Sequence, residues 1–211
     1  MIKRLLIANR GEVALRVIRA CRELGVETVA VYSDADSRAP HASAADRAVA
    51  IGPAPAVDSY LSVTRILEAV RTSGADAVHP GYGFLSENAS FAAACEKAGI
   101  VFVGPPSNVI AQMGSKISAR RLMQMAGVPA VPGDVPHDQS DDGIRRAIER
   151  VAPPALIKAS AGGGGRGISR VDQLDGCVDA IQAARREAIA SFGDGTLYVE
   201  KLIVKPRHVE V

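Results

Sequence analysis

RLLIANRGEVALRVIRACRELGVETVAVYS, residues 4–33, decides how the chain folds. Its two ends, RLLIAN and TVAVYS, are short apolar runs that read as strands buried on both faces. Between them, over residues 12–24, Val13, Val17, Ala20, Cys21 and Leu24 fall on one helical face, and Gly25 supplies the stop. Arg19 and Glu23 lie four apart on the outer side, a pair worth only about 0.2–0.5 kcal/mol when solvated. Strand, helix, strand in this order implies a parallel sheet with helices on its faces.

Working outward, RAVAIG, DAVHPG and IVFVG continue the series of strands to about residue 104. In open parallel sheets, ligands sit at the carboxyl ends of the strands. The loops there are NRGE (9–12), SDADSRAPH (33–41), GPAPAVDSY (52–60) and HPGYGFLSEN (79–88). In the last, glycines on both sides of Tyr82 let backbone approach a ligand while the loop displays His79, Tyr82 and Glu87. The plainer reading is a tight turn in which Tyr82 and Phe84 pack.

From residue 105 the character changes. PPSNVIAQMGSKISARRLMQMAG (105–127) reads as one helix or two, and VPAVPGDVPHDQSDD (128–142) as a polar connector broken by prolines. A second unit follows: a helix near 141–151, a strand ALIKAS, a glycine run, a strand GISRV, a helix near 173–191, a strand LYVEKLI and a last strand RHVEV. The sequence stops within that strand, which raises the expectation of a longer polypeptide.

Bulk properties narrow the function. The chain has 211 residues, 47% of them apolar, and a net charge of +2 from 25 basic and 23 acidic residues without blocks of one sign. That distribution argues against a nucleic-acid or membrane surface. No run approaches the ~20 apolar residues of a membrane span, and the expected compartment is the cytoplasm, or an organelle after processing. Cys21, Cys95 and Cys177 are far apart in helix-like sequence and read as buried structural thiols. No metal-ligand cluster is evident, so no metal-binding residue is assigned, and no catalytic residue either.

The glycine run lies in IKASAGGGGRGISRV, residues 157–171. A Walker loop would need a lysine and a hydroxyl residue after the last glycine, opening a helix; Arg166, Gly167, Ile168 and Ser169 stand there instead. Gly162, Gly164 and Gly167 satisfy a dinucleotide fingerprint only formally, because GISRV is strand-like. The third reading is a hairpin whose glycine tip folds over a polyphosphate, with backbone N–H groups aimed at the oxygens. A cation should stand near it. Alternation in ALIKAS puts Leu156, Lys158 and Ser160 on one face and Ala155, Ile157 and Ala159 on the other. A flexible linker is the alternative.

Two further places stand out. Glu200 and Lys201 interrupt an apolar strand, which is costly unless something polar meets them. Backbone around Leu202 and Ile203 could then hold a purine edge, with Ile203 against the ring. His208 and Glu210 share a strand face, where a solvated histidine is the equal alternative.

Taken in order, IANRGEVALRVIRACRELG, HPGYGFLSEN, FVGPP, MGSK, AGVPAVPG, IKASAGGGGRG, EKLI and PRHVEV resemble biotin carboxylase of the ATP-grasp superfamily, over essentially the whole chain. The resemblance implies an α/β fold: an N-terminal parallel-sheet, Rossmann-like domain over 1–104, connecting helices over 105–130, an α+β ATP-grasp lid over 131–203, and over 204–211 the first strand of an incomplete C-terminal subdomain. It implies a ligase that uses ATP and bicarbonate to carboxylate biotin on a carrier protein, ahead of a carboxyltransferase, and that is a homodimer in full-length form. By the same resemblance, Lys116 and Lys158 contact phosphates, Gly164 and Gly165 close over the triphosphate, Glu200, Lys201, Leu202 and Ile203 hold adenine, and His208 lies near the nucleotide. His79 and Tyr82 would stand at the rim where bicarbonate and biotin meet. The magnesium ligands and the bicarbonate and biotin residues belong to the family's second half, so this chain alone is expected to be inactive. A non-catalytic nucleotide-binding or interaction module from the same family is the alternative. A dinucleotide oxidoreductase is disfavoured, since IANRGEVAL offers only Gly11 where a glycine fingerprint should open the first helix.

Overall fold

A computed structural model describes residues 1–161, 167–207 and 209, and divides the chain into two compact units, Met1–Ala111 and Gln112–Val211. In the first unit the chain runs β1 (Arg4–Ile7), α1 (Gly11–Glu23), β2 (Glu27–Tyr32), α2 (Pro40–Ala44), β3 (Arg47–Ala50), α3 (Val63–Ser73), β4 (Ala77–His79), α4 (Ala89–Lys97) and β5 (Val101–Phe102). Its five strands are all parallel in the order β3-β2-β1-β4-β5, so the direction of winding reverses between β1 and β4. That reversal sets the NRGE and HPGYG loops side by side at the strands' carboxyl ends.

The pleat sorts the core into two layers. Leu6, Val29, Val31 and Val78 point to the face covered through α3 and α4, with Ile66, Val70, Phe91 and Cys95 buried against them. Leu5, Ile7 and Ala77 point to the other face, where α1 buries Ala14, Ile18 and Cys21. Here the sequence reading is met in part: of Val13, Val17, Ala20, Cys21 and Leu24, Cys21 is buried and Val17 packs against the core, but the buried stripe continues through Ala14 and Ile18. Leu24 is 78% exposed. Helix ends follow ordinary capping chemistry: Ser62 accepts from the Arg65 N–H and Asn88 from the Phe91 N–H.

The second unit begins within α5 (Ser107–Gly114) and continues through α6 (Lys116–Met125), β6 (Gly133–Asp134), α7 (Asp141–Val151), β7 (Ala155–Ala159), β8 (Ile168–Val171), α8 (Cys177–Phe192) and β9 (Leu197–Lys201). The 105–127 segment is therefore two helices, parted at Ser115, which caps α6 by accepting from the Ser118 N–H. The polar connector contributes a short strand, β6, that pairs with β9. The four strands form an antiparallel sheet, β6-β9-β7-β8. Its α7/α8 face buries Ala155, Ile157, Ala159, Leu197 and Val199 against Ile144, Ile148, Ile181 and Ala184. The pleat then directs Leu156, Lys158 and Ser160 to the opposite face, as the alternation in the sequence requires. The expected strand RHVEV includes His208, Glu210 and Val211, which lie outside the described residues.

All three cysteines are free and buried, and burial pushes the Cys95 thiol up to about 11, far from a nucleophile's range. Among the described residues no helix is long and apolar enough to cross a membrane.

Candidate functional site

The strands flanking the glycine run are antiparallel neighbours. Lys158 is in register with Ile168, and the Ala159 N–H donates to Gly167 O at 2.9 Å, so the run closes a hairpin. Gly164 and Gly165 lie outside the described residues, as does His208. What the hairpin's base presents is a cluster of charge on the face opposite α7 and α8. Antiparallel pairing sets Leu156 opposite Glu200 and Lys158 opposite Tyr198, which carries all four side chains to that face.

Glu200 is the centre of the cluster. One carboxylate oxygen accepts from Arg120 Nη1 at 2.8 Å and the other from Lys158 Nζ. The three side chains are mostly buried, with 14%, 10% and 23% of their surface exposed for Glu200, Arg120 and Lys158. Charges this far from water persist only when paired. Arg120 arrives from α6, whose first residue is Lys116. The Lys116 N–H donates to Ser160 O at 3.4 Å, and its Nζ lies 3.5 Å from Ala159 O and 3.4 Å from Ala161 O. Burial and the neighbouring Lys158 ammonium pull the Lys116 pKa below the usual lysine value, against the upward pull of Glu200. Burial, and then the Glu200 carboxylate, push the Tyr198 phenol up to about 12.

Lys158 and Arg120 thus share one carboxylate, Glu200, with Lys116 close enough for both Lys158 and Glu200 to act on its titration. Such a surface at the base of an amide-rich hairpin suits a polyanion. Arg120 was not legible as a site residue, because helix periodicity does not reveal that it reaches a strand 80 residues away.

The segment after Glu200 is arranged differently from the sequence reading. Lys201 turns away from the cluster: its Nζ donates to Ala152 O at 2.7 Å and Pro153 O at 3.3 Å. The Leu202 N–H, expected to be open to a purine, donates to Pro154 O at 3.0 Å. Ile203, 47% exposed, carries the first amide past β9 that has no partner among the described residues.

In the first unit the HPGYG loop is tightly built. Asn9 Nδ2 donates to Pro80 O at 2.7 Å and to Tyr82 O at 2.9 Å, stitching the two loops at the sheet's reversal point. Gly81 has a φ of 66°, and a Cβ there would meet Val13 Cγ1 at 2.6 Å and Asn9 Nδ2 at 2.7 Å, so only glycine fits. The Gly81 N–H donates to His79 Nδ1 at 2.9 Å, which places the ring proton on Nε2, while burial holds the His79 pKa below its ordinary value. Tyr82 is 66% exposed and donates to Glu12 Oε2 at 3.1 Å. The ring is displayed rather than packed. Phe84, by contrast, stacks on Tyr60 with centroids 5.0 Å apart, and the Arg10 guanidinium lies 5.5 Å from the Tyr60 centroid. Arg10 also pairs with Asp36 at 3.1 Å.

Magnesium finds no donor set here. Among the described residues no three carboxylate, imidazole or thiolate side chains gather, and Glu200 is committed to two cations.

With this geometry in hand, comparison with known proteins is informative. A family model described as "Biotin carboxylase, N-terminal domain" matches residues 1–110, and one described as "Carbamoyl-phosphate synthase L chain, ATP binding domain" matches residues 115–211. Biotin carboxylase 1 of Bacillus subtilis is 49% identical over 211 residues, covering 100% of this chain and 47% of that protein. The mitochondrial methylcrotonoyl-CoA carboxylase subunit alpha of Dictyostelium discoideum is 50% identical over 210 residues, covering 100% of this chain and 30% of that protein. Among solved structures, the biotin carboxylase domain dimer of Hydrogenobacter thermophilus 2-oxoglutarate carboxylase, in complex with MgADP, ADP and bicarbonate, superposes with a TM-score of 0.90 at 47% identity. It covers 96% of this chain and 45% of that one. The chain thus spans less than half the length of each of these relatives.

Proposed function

Given that the chain belongs to the biotin carboxylase family, we propose that it is the nucleotide-binding part of an enzyme that carboxylates biotin on a carrier protein with ATP and bicarbonate. The observation that carries this reading is the gathering of Lys116, Lys158 and Arg120 around Glu200 at the base of the glycine hairpin. In the proposed complex, Lys116 and Lys158 meet the phosphates. The amides of Gly164 and Gly165 close over them, Ile203 and its neighbours from Glu200 to Leu202 hold adenine, and His208 approaches the nucleotide. Residues 131–203 act as the lid, 1–104 as the N-terminal domain and 105–130 as their connection. Tyr82 and His79 face bicarbonate and biotin.

The physical task of such residues is to bring two anions together. ATP and bicarbonate repel each other, and fixed ammonium groups and amides lower the cost of their approach. A closing hairpin keeps water from the reactive mixed anhydride. Magnesium would supply charge neutralisation at the phosphates, but the described residues offer it no ligands, so no step is assigned to it. The carrier, a carboxyltransferase and a second copy of the full-length chain are the proposed partners, and an aqueous compartment, cytoplasmic or organellar, is the proposed setting.

Isothermal titration of the chain with MgATP tests the binding claim. Saturable binding should weaken about 10- to 100-fold in Lys158→Met, the loss of one charged hydrogen bond. Equal affinity in both would sink it. Bicarbonate- and biotin-dependent ATP hydrolysis should be absent in the chain alone, and clear turnover would overturn the expected inactivity. A module that binds nucleotide without turning it over is the alternative. Binding without hydrolysis in a full-length version would select that reading.

A further inference from the structure

Glu200 lies on β9, an interior strand, with Gly133 of β6 opposite it on one side and Leu156 of β7 on the other. Gly133 offers no side chain, and the Arg120 guanidinium occupies the space: a Cβ on Gly133 would come within 3.1 Å of Arg120 Nη2. Through this slot Arg120 reaches two acceptors, Glu200 Oε1 at 2.8 Å and Val131 O, so its planar fork is fixed from both sides. Lys158 is held otherwise. Among the described residues its Nζ bonds to Glu200 Oε2 alone, at the end of a flexible stem, and its side chain is 23% exposed where that of Arg120 is 10%. The Lys116 ammonium, close enough for the two lysines to act on each other, repels it further. One carboxylate thus carries a fixed cation and a loosely held one.

We propose that Arg120 is a positioning residue for nucleotide binding: as the standing counter-ion of Glu200, it lets Lys158 leave that carboxylate for a phosphate oxygen without stranding a buried charge. The proposal rests on the reading above in which Lys158 meets the phosphates. In the ligand-free chain Lys158 is committed to Glu200, so a phosphate recruits it only by breaking that bond. The Glu200 side chain is 14% exposed, and a carboxylate left alone at that depth would hold the lysine back. With Arg120 fixed on the other oxygen, departure of Lys158 leaves a neutral pair, and the ammonium carries its full charge to the anion. The exchange needs only rotation about the lysine stem, and no proton is transferred.

Two measurements on the 211-residue chain test this. The first is calorimetric titration of tripolyphosphate and of MgATP into the native chain, Arg120→Met, Glu200→Gln and the double variant. Arg120→Met should bind each at least about tenfold more weakly than the native chain, since Glu200 then grips its last cation. In the Glu200→Gln background the same substitution should change affinity by less than about threefold, because no carboxylate remains to be stranded. Equal losses in the two backgrounds would mean that Arg120 acts on the anion directly, and no loss in either would mean that Lys158 leaves unaided; each overturns the proposal. Arg120→Lys keeps a cation beside Glu200 and should recover most of the affinity; no recovery overturns the proposal as well, since charge would then not be what matters. The second measurement needs no ligand: acetylation of Lys158 by N-hydroxysuccinimide acetate, read by peptide mass spectrometry. Arg120→Met should slow it at least about threefold, because Lys158 becomes the sole partner of Glu200. A merely structural Arg120 predicts the opposite sign, a loosened face and faster acetylation, so acceleration or no change overturns the proposal. If the native chain binds neither anion, the nucleotide reading fails, while slowed acetylation still upholds the hold of Arg120 over the Lys158–Glu200 bond. Should Arg120→Met fail to fold, Arg120→Gln takes its place with the same expectations.

Discussion

Replacing Glu200 by glutamine keeps the shape of the charge cluster and removes its only carboxylate among the described residues. Arg120 and Lys158, with side chains 10% and 23% exposed, would then face each other with no counter-charge. Stranding a fully buried ion costs about 3–5 kcal/mol, and the residual exposure here reduces that to about 2–4 kcal/mol. At a urea m-value of about 2 kcal/mol/M, the midpoint of the second unit falls by about 1–2 M. The assay is urea unfolding followed by far-ultraviolet circular dichroism, run at low and high salt, since a buried cluster is screened far less than a surface one. Lys158→Met and the double variant complete a cycle, with a coupling energy of about 1–3 kcal/mol expected between the two sites. Tripolyphosphate, which has no adenine for Glu200 to read, should restore more stability to Glu200→Gln than it adds to the native chain, because the anion replaces the lost carboxylate. A midpoint shift below about 0.3 M, or additivity within about 0.5 kcal/mol, would refute the account of Glu200 as the ion that holds this face together.

Three further outcomes follow from the packing. Gly133→Ala would put a Cβ 2.5 Å from Val199 O and 3.1 Å from Arg120 Nη2, so it should destabilise the second unit by about 1–3 kcal/mol in the same urea assay. Burial raises the Asp36 pKa, but hydrogen bonds from Tyr60, Arg10 and Ser33 outweigh it and hold the group below its ordinary 3.8. The stability this contributes is present above the unfolded value and is lost as pH falls through the folded one; Asp36→Asn should flatten that acid limb of the unfolding curve. Burial lifts the phenols of Tyr60 and Tyr198 to about 12 each, so an alkaline ultraviolet titration should find both still un-ionised near pH 10, and their ionisation there would contradict the packing.

The fold was legible wherever one period dominated. RLLIAN, TVAVYS and ALIKAS are short, apolar and bounded by polar or glycine residues, and each forms a strand where its pattern places it. The two-residue β6 was hidden, because Gly133 and Asp134 carry no strand pattern of their own and are recruited by pairing with Val199 and Glu200. On α1 the difficulty was the reverse. Ala14 and Ile18 pack on the sheet while Val13, Val17 and Leu24 line a groove beside it, so apolar residues occupy more of the helix than one buried stripe needs. Periodicity reports that a side chain is apolar, and it cannot say whether the neighbour that covers it belongs to the same unit.

The site was legible for a different reason, the cost of burying charge. Lys158 and Glu200 interrupt apolar strands, and a chain keeps such residues only where they are paired or used. Their mutual bond explains how both survive burial, but it also shows why pairing alone is an incomplete account. Arg120 already satisfies one oxygen of Glu200 at 2.8 Å, so Lys158 brings cationic charge beyond what the carboxylate needs for neutrality. A cation kept for a ligand costs stability while the ligand is absent, so replacing it by an apolar side chain of similar volume raises stability, as it often does for buried ion groups. Lys116→Met therefore separates structure from function: higher stability together with weaker triphosphate binding is the signature of a cation held for a ligand, whereas lower stability with unchanged binding would make Lys116 part of the scaffold.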